Sequence, residues 1–187
     1  MSRRPPPHII RRRRVAGLIV LAILVSLIWW AVASIAALFS PPPEAEEAKV
    51  TQCAPGVVQV TALVGDGETR LSAFDIKTDP VLWFTLNNTG KKACTFNAGP
   101  KVQIYTIRIG DEIIWSNEQC DREGLKDQKL TLTPGKEEKA IPSPWLKVYS
   151  NNSGCGEGQP AALPGTYTFS VSVNGVNSAN AETFSIE

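Results

Sequence analysis

One run limits everything else in this chain: Val15 to Phe39, VAGLIVLAILVSLIWWAVASIAALF, has 25 residues and no charge. At 1.5 Å per helical residue it is long enough to cross a hydrocarbon core of about 30 Å with some tilt. A helix is the single-segment form that satisfies its backbone groups in lipid. Arg3, Arg4 and Arg11 to Arg14 precede it, and Pro41-Pro42-Pro43 with Glu44, Glu46 and Glu47 follow. Basic residues stay on the cytoplasmic side of a span. The run therefore predicts a single-pass cell-membrane protein in contact with bilayer lipid, its N-terminus cytoplasmic and its C-terminal domain extracytoplasmic. Trp29 and Trp30 suit the interfacial belt of such a span. The competing reading is a cleaved signal peptide, because Ala31-Val32-Ala33 before Ser34 has the small-x-small form of its exit. Apolar character continues through Ile35 to Phe39, and the core before that exit exceeds the ~7–15 residues of a signal peptide. The uncleaved anchor is the expectation.

This divides the chain into a basic tail (1–14), a transmembrane helix (15–39), a Pro/Glu-rich linker (40–52) and one domain (53–187). The domain is long enough to bury a core without a metal. The overall charge of +1 hides a split: beyond the tail there are 13 basic and 18 acidic residues, a net of −5. A domain with that balance lacks the footprint of a nucleic-acid binder, and the arginines read as a topology signal against anionic lipid. All four cysteines, Cys53, Cys94, Cys120 and Cys155, follow the span. An even number in an exported domain predicts two disulfides. Three pairings are open; Cys53–Cys94 with Cys120–Cys155, tying each half separately, is the favoured one. A zinc site is disfavoured, since no pair is spaced C-x₂-C and no histidine accompanies them.

From Cys53 onward, short alternating runs broken by turn residues predict an all-β domain. The runs are Gly56–Gly65, Val81–Leu86, Lys101–Ile109, Ile113–Trp115, Lys129–Thr133, Trp145–Tyr149 (the weakest), Gly165–Val173 and Glu182–Ile186. Val81–Leu86 is nearly continuous, which predicts cover on both faces. Pro134-Gly135 reads as a type II turn, and Asn174-Gly175 as a two-residue hairpin turn with Glu182–Ile186 returning. Seven or eight strands at this spacing point to an antiparallel two-sheet sandwich.

Some segments resemble known domains. Leu86-Asn87-Asn88-Thr89-Gly90, Ala93-Cys94-Thr95-Phe96 and Gly99-Pro100 resemble strand ends in uncharacterised exported sandwich domains of actinobacteria. Ile114-Trp115, Leu132-Thr133-Pro134-Gly135, Trp145, Pro164-Gly165-Thr166-Tyr167 and Thr183-Phe184-Ser185-Ile186 resemble the BsuPI-like domain of the intracellular proteinase inhibitor type. That resemblance implies an immunoglobulin-like sandwich and, from its namesake, protease binding. The membrane anchor and four cysteines depart from it, and no inhibitory loop maps residue by residue. The expectation carried over is the fold.

Chemistry is sparse. The one histidine, His8, lies on the tail, so no histidine-dependent triad, dyad or metal site is available to the domain. Asp75 with Asp79, and Asp121, Glu123 and Asp127, read as solvated loop charges, since nothing in the sequence separates one pKa from its neighbour. Asp121–Asp127 lacks the spaced calcium-loop pattern. No enzyme activity, cofactor or metal is expected. Trp83 is assigned to the core, while Trp115 and Trp145 are candidates for a contact patch. Asn117–Gln128 and Ser150–Pro164, joined by the expected Cys120–Cys155 bridge, form the candidate binding surface, with Asn151, Asn152 and Glu157 at its exposed face. Asn87-Asn88-Thr89 and Asn151-Asn152-Ser153 read as glycosylation sequons, usable only in a eukaryotic secretory pathway. The expected role is an envelope interaction module, an accessory subunit with a protein partner in the membrane or envelope. Protease inhibition and cell-wall glycan binding are the alternatives.

Overall fold

In this computed structural model the described residues are 21–32 and 50–187. Residues 21–32 are helical, and Ser26 Oγ donates to the Ala22 carbonyl at 2.9 Å. Among the described residues no helix is long and apolar enough to cross a membrane. The remainder of the expected span, the basic tail and residues 40–49 of the expected linker lie outside the described residues. The chain divides into two compact units, residues 1–48 and 49–187, and the second carries the β structure.

Alternation along the strands builds the second unit's core. Strand β1 (Val58–Gly65) turns Val58, Val60, Ala62 and Val64 inward, all buried. It pairs antiparallel over its whole length with β3 (Val81–Asn88), which contributes Leu82, Phe84 and Leu86. Short strands β8 (Glu137–Lys139) and β9 (Ser143–Pro144) extend this sheet beyond β3. The opposing sheet runs β2 (Ala73–Phe74), β12 (Glu182–Ile186), β10 (Gly165–Val173), β5 (Gln103–Ile109), β6 (Glu112–Ser116). Its inward residues include Tyr105, Ile107, Tyr167, Phe169, Val171 and Phe184. Apolar side chains at every second position lock the register, because a one-residue slip would expose the set. A third, two-stranded sheet joins β4 (Cys94–Asn97) to β7 (Lys129–Leu132). The result is mostly β, with sheets facing each other in a sandwich-like arrangement around one core.

Several expectations change in detail. Trp145–Tyr149 is not a strand. The segment before it, Ser143–Pro144, pairs with β3, and the chain then leaves the sheet, with Lys147 at a φ of 54°. Asn174-Gly175 does form the tight turn, with φ of 50° and 79°, the positive pair that a type I′ hairpin needs. Its return strand, however, is β11 (Val176–Asn177), which pairs with Ser172 and Val173. Ser178 to Asn180 then crosses to the other sheet: the Ala179 N–H donates to the Val60 carbonyl at 2.8 Å. The Asn180 carboxamide accepts from the Ala62 N–H and donates to its carbonyl, at 2.9 and 3.0 Å. Only afterwards does β12 pair with β10. This excursion caps the free edge of β1 and stitches the sheets together. One pair is parallel, β12 with β2, so the second sheet is not purely antiparallel.

Candidate binding surface

Both disulfides close as Cys53–Cys94 and Cys120–Cys155, with Cα separations of 4.8 and 4.9 Å. The second joins two irregular segments. The first segment begins where β6 ends: Ser116 Oγ accepts from the Glu118 N–H at 3.2 Å and caps a 3₁₀ turn, Asn117–Gln119. Beyond the end of β6 the Asn117 side chain continues the ladder, accepting from the Tyr105 N–H at 2.9 Å and donating to the Gln103 carbonyl at 3.1 Å. Arg122 then donates to the carbonyls of Asn117, Pro100, Lys101 and Gln103, the shortest contact being 2.8 Å to Lys101. A guanidinium suits this task because its planar donors spread over several acceptors at once. No sequence pattern flagged Arg122, since its partners are all backbone.

Two carboxylates of this segment are already occupied. Asp121 accepts from the Glu123 N–H, and Asp127 accepts from Asn97 Nδ2 at 2.8 Å and faces Lys101 at 3.9 Å. Gly99 is required where this loop crosses β4, because a Cβ there would lie 2.3 Å from the Gln128 nitrogen. Among the described residues no cluster of three or more His, Cys, Asp or Glu side chains is arranged to hold a metal.

The second segment starts at Ser150, whose N–H donates to the Ile114 carbonyl at 2.9 Å and whose hydroxyl accepts from the Ser116 N–H at 2.8 Å. These bonds satisfy the outer edge of β6. Asn151 and Gly154 exchange two backbone bonds around a tight turn. The Asn151 side chain accepts from the Ser153 N–H and donates to Gln159 Oε1 at 2.7 Å. Asn151, Asn152 and Glu157 are exposed.

The two tryptophans proposed for this surface are not on it. Trp145 is 1% exposed; its indole N–H donates to the Val148 carbonyl, and its ring meets Tyr167 and Phe184 edge-on at 5.3 and 6.0 Å. Trp115 is 8% exposed and donates to the Cys155 carbonyl at 2.8 Å. Each ring is apolar enough to sink and finds a carbonyl for its one polar atom. Trp115 therefore holds the second stapled loop from beneath, while Trp145 belongs to the core beside β10 and β12. Trp83 is buried too, but on the outer face of β3, where the Lys139 ammonium lies 5.3 Å from its ring centre.

What remains exposed is a shallow hollow between the stapled segments, lined by Ile113, Ser116, Glu118, Gln119, Asn151 and Asn152. Half-exposed Ile113 contributes apolar surface, and a carboxylate with three carboxamides supplies polar groups. That chemistry suits a hydrogen-bonding contact with another surface rather than enclosure of a small molecule.

No family profile and no curated protein matches the sequence. Among solved structures, a β-glucosidase from Erythrobacter marinus aligns over 70% of this chain and 15% of its own, at 14% identity and a TM-score of 0.40. The alkylpurine DNA glycosylase AlkC of Pseudomonas fluorescens aligns over 70% of this chain and 30% of its own, at 14% identity and a TM-score of 0.38. A CARDB domain from Pyrococcus furiosus aligns over 74% of this chain and 97% of its own, at 11% identity and a TM-score of 0.34. At these scores the likenesses carry no argument about function.

Proposed function

We propose that this chain is a membrane-anchored, extracytoplasmic interaction module and a non-enzymatic accessory subunit of an envelope membrane complex. The pair of closed disulfides carries the reading: such bridges persist in oxidising compartments, and both lie on one side of the uncharged 15–39 run. The arginine-rich flank of that run supports an uncleaved anchor with the N-terminus in the cytoplasm. The domain belongs to the immunoglobulin-like class of sandwich in this reading. Supporting it, the Tyr167 hydroxyl at the start of β10 donates back to the Leu163 carbonyl, the arrangement of a tyrosine corner. Nucleic acid is a poor partner for a domain of net charge −5.

Cross-linking of the tagged full-length protein in its native membrane tests this. A single stoichiometric membrane partner is the expected product. Recovery of wall glycan alone, or of nothing, would overturn the accessory-subunit reading and favour ligand binding or protease inhibition. The intact mass of the membrane-extracted protein settles the anchor independently, since processing after Ala33 would remove the N-terminal segment.

A further inference from the structure

Strands β7 and β8 are consecutive and joined by a tight turn, with the Lys136 N–H donating to the Thr133 carbonyl, yet they do not pair. β7 pairs with β4 and β8 with β3. Between them lies a groove of about 290 Å³ whose lining includes Phe84, Leu86, Ala98, Leu130, Ala140 and Ile141. One bank is the inward face of the β4–β7 sheet. The other is the edge of β8 and its continuation.

The backbone of that edge is open. The Ala140 N–H donates inward to the Phe84 carbonyl at 2.9 Å. Antiparallel alternation then turns the N–H and C=O groups of Glu137 and Lys139 away from β3, toward the groove side, before the register with β3 shifts by one residue between Ala140 and Ser143. The Lys139 side chain does not bar them, because it bends onto the outer face to reach the Gly67 carbonyl at 2.5 Å and cover Trp83. Ile141 is 90% exposed. All three residues of β8 are charged, and Glu138 is bonded to Lys136 at 2.8 Å. Pro142, lacking an N–H, closes the far end.

We propose that this edge accepts a short extended peptide segment of a partner protein, added as a strand beside Glu137–Lys139 with an aliphatic side chain in the groove. The chemistry selects this occupant. A row of open backbone donors and acceptors is matched by another extended backbone, and the adjoining pocket takes alternate side chains. The groove also falls just below the ~300–1,000 Å³ range of small-molecule pockets. The proposal rests on the interaction-module reading and names a second contact surface for it, which meets the first stapled segment at Gln128.

The test uses the full-length protein in detergent and a panel of acetylated heptapeptides in which threonine alternates with valine, isoleucine, leucine or phenylalanine. Each has a partner peptide N-methylated at alternate positions, which removes donors without altering side chains. The expected result is a shift of the Glu137, Glu138 and Lys139 amide resonances by at least one peptide, a loss of affinity of tenfold or more on N-methylation, and a similar loss in Lys139→Pro. Equal binding of the N-methylated peptides would overturn strand addition. So would shifts that depend on protein concentration alone, which would mean a second copy occupies the edge, or no shift at millimolar peptide. If the peptides fail while membrane cross-linking still captures one partner, this proposal falls and the interaction-module reading stands.

Discussion

The two disulfides enclose nearly equal lengths of chain, 41 and 35 residues, but they sit in different kinds of structure. Cys53–Cys94 lies inside hydrogen-bonded sheet. The Cys53 N–H donates to the Thr95 carbonyl, and Cys94 is buried at the start of β4. Beside it the buried Asn88 side chain donates to the Lys92 and Leu132 carbonyls at 2.9 Å and touches Cys94 Sγ at 3.4 Å. Cys120–Cys155 joins two loops whose order comes from side chains binding backbone: Asn117, Arg122, Ser150 and Trp115. In the chain-entropy account the two bridges differ by only ~0.1 kcal/mol, so any larger difference reports on the native structure around each. The first bridge reinforces what the sheet already fixes; the second holds together a surface that the sheet does not reach.

The comparison is sharpest at Trp145. Its ring is buried against Phe184 and against Tyr167, whose hydroxyl bonds Leu163 of the second region, so Trp145→Ala should lower stability by ~3–5 kcal/mol in urea unfolding. That loss should exceed the cost of the Cys120→Ser/Cys155→Ser pair, expected near ~2–4 kcal/mol. A bridge more costly than the tryptophan would mean that the loops depend on the staple and not on what they rest upon. Next comes the Cys53→Ser/Cys94→Ser pair, which should cost ~1 kcal/mol more than the other bridge because it leaves a hydroxyl in a buried site beside Asn88. Equal midpoint shifts in parallel urea titrations would remove the distinction between the regions. Asn88→Ala should cost ~1–3 kcal/mol, since the Lys92 and Leu132 carbonyls lose a buried donor. An Asn88→Ala protein as stable as the parent would show that the network is replaced by water.

The sequence revealed these regions unequally. Alternating runs such as Thr166–Val173 identify their own buried face, because a period of two leaves one choice of inward set. β1, β3, β5 and β10 were legible for that reason, as was the Asn174-Gly175 turn. The short strands β4, β8 and β9 were not, since two to four residues carry no period and their pairing comes from tertiary contact. The β11-to-β12 excursion was hidden because Asn180 acts through a carboxamide bonding a distant backbone, which leaves no local pattern. At the candidate surface the loop limits, the bridge and the exposed Asn151, Asn152 and Glu157 followed from composition. Trp145 misled because an aromatic after Pro142-Ser143-Pro144 reads as a loop edge. A ring of that size sinks wherever a carbonyl is within reach of its N–H.

The smallest expected effect concerns proton binding, and it separates the regions by their coupling to the core. Burial raises the Tyr167 hydroxyl above its ordinary value of 10.0, and the neighbouring Tyr149, which leads into the second region, adds to the rise. Burial likewise raises Tyr105, with no contribution from either stapled segment. A group whose folded pKa is raised binds its proton more tightly in the native state. The stability it contributes is complete below about pH 10 and is lost as pH rises beyond that. Tyr149→Phe should therefore move the Tyr167 titration part of the way back toward 10.0 while leaving Tyr105 where it is, as read from the ring-carbon resonances of labelled tyrosine. The remaining rise at Tyr167 belongs to burial and should survive. If Tyr149→Phe shifts both tyrosines alike, the second region is coupled to the whole core rather than to the Trp145–Tyr167 corner beneath it. An unmoved Tyr167 would show that this loop and the core titrate independently.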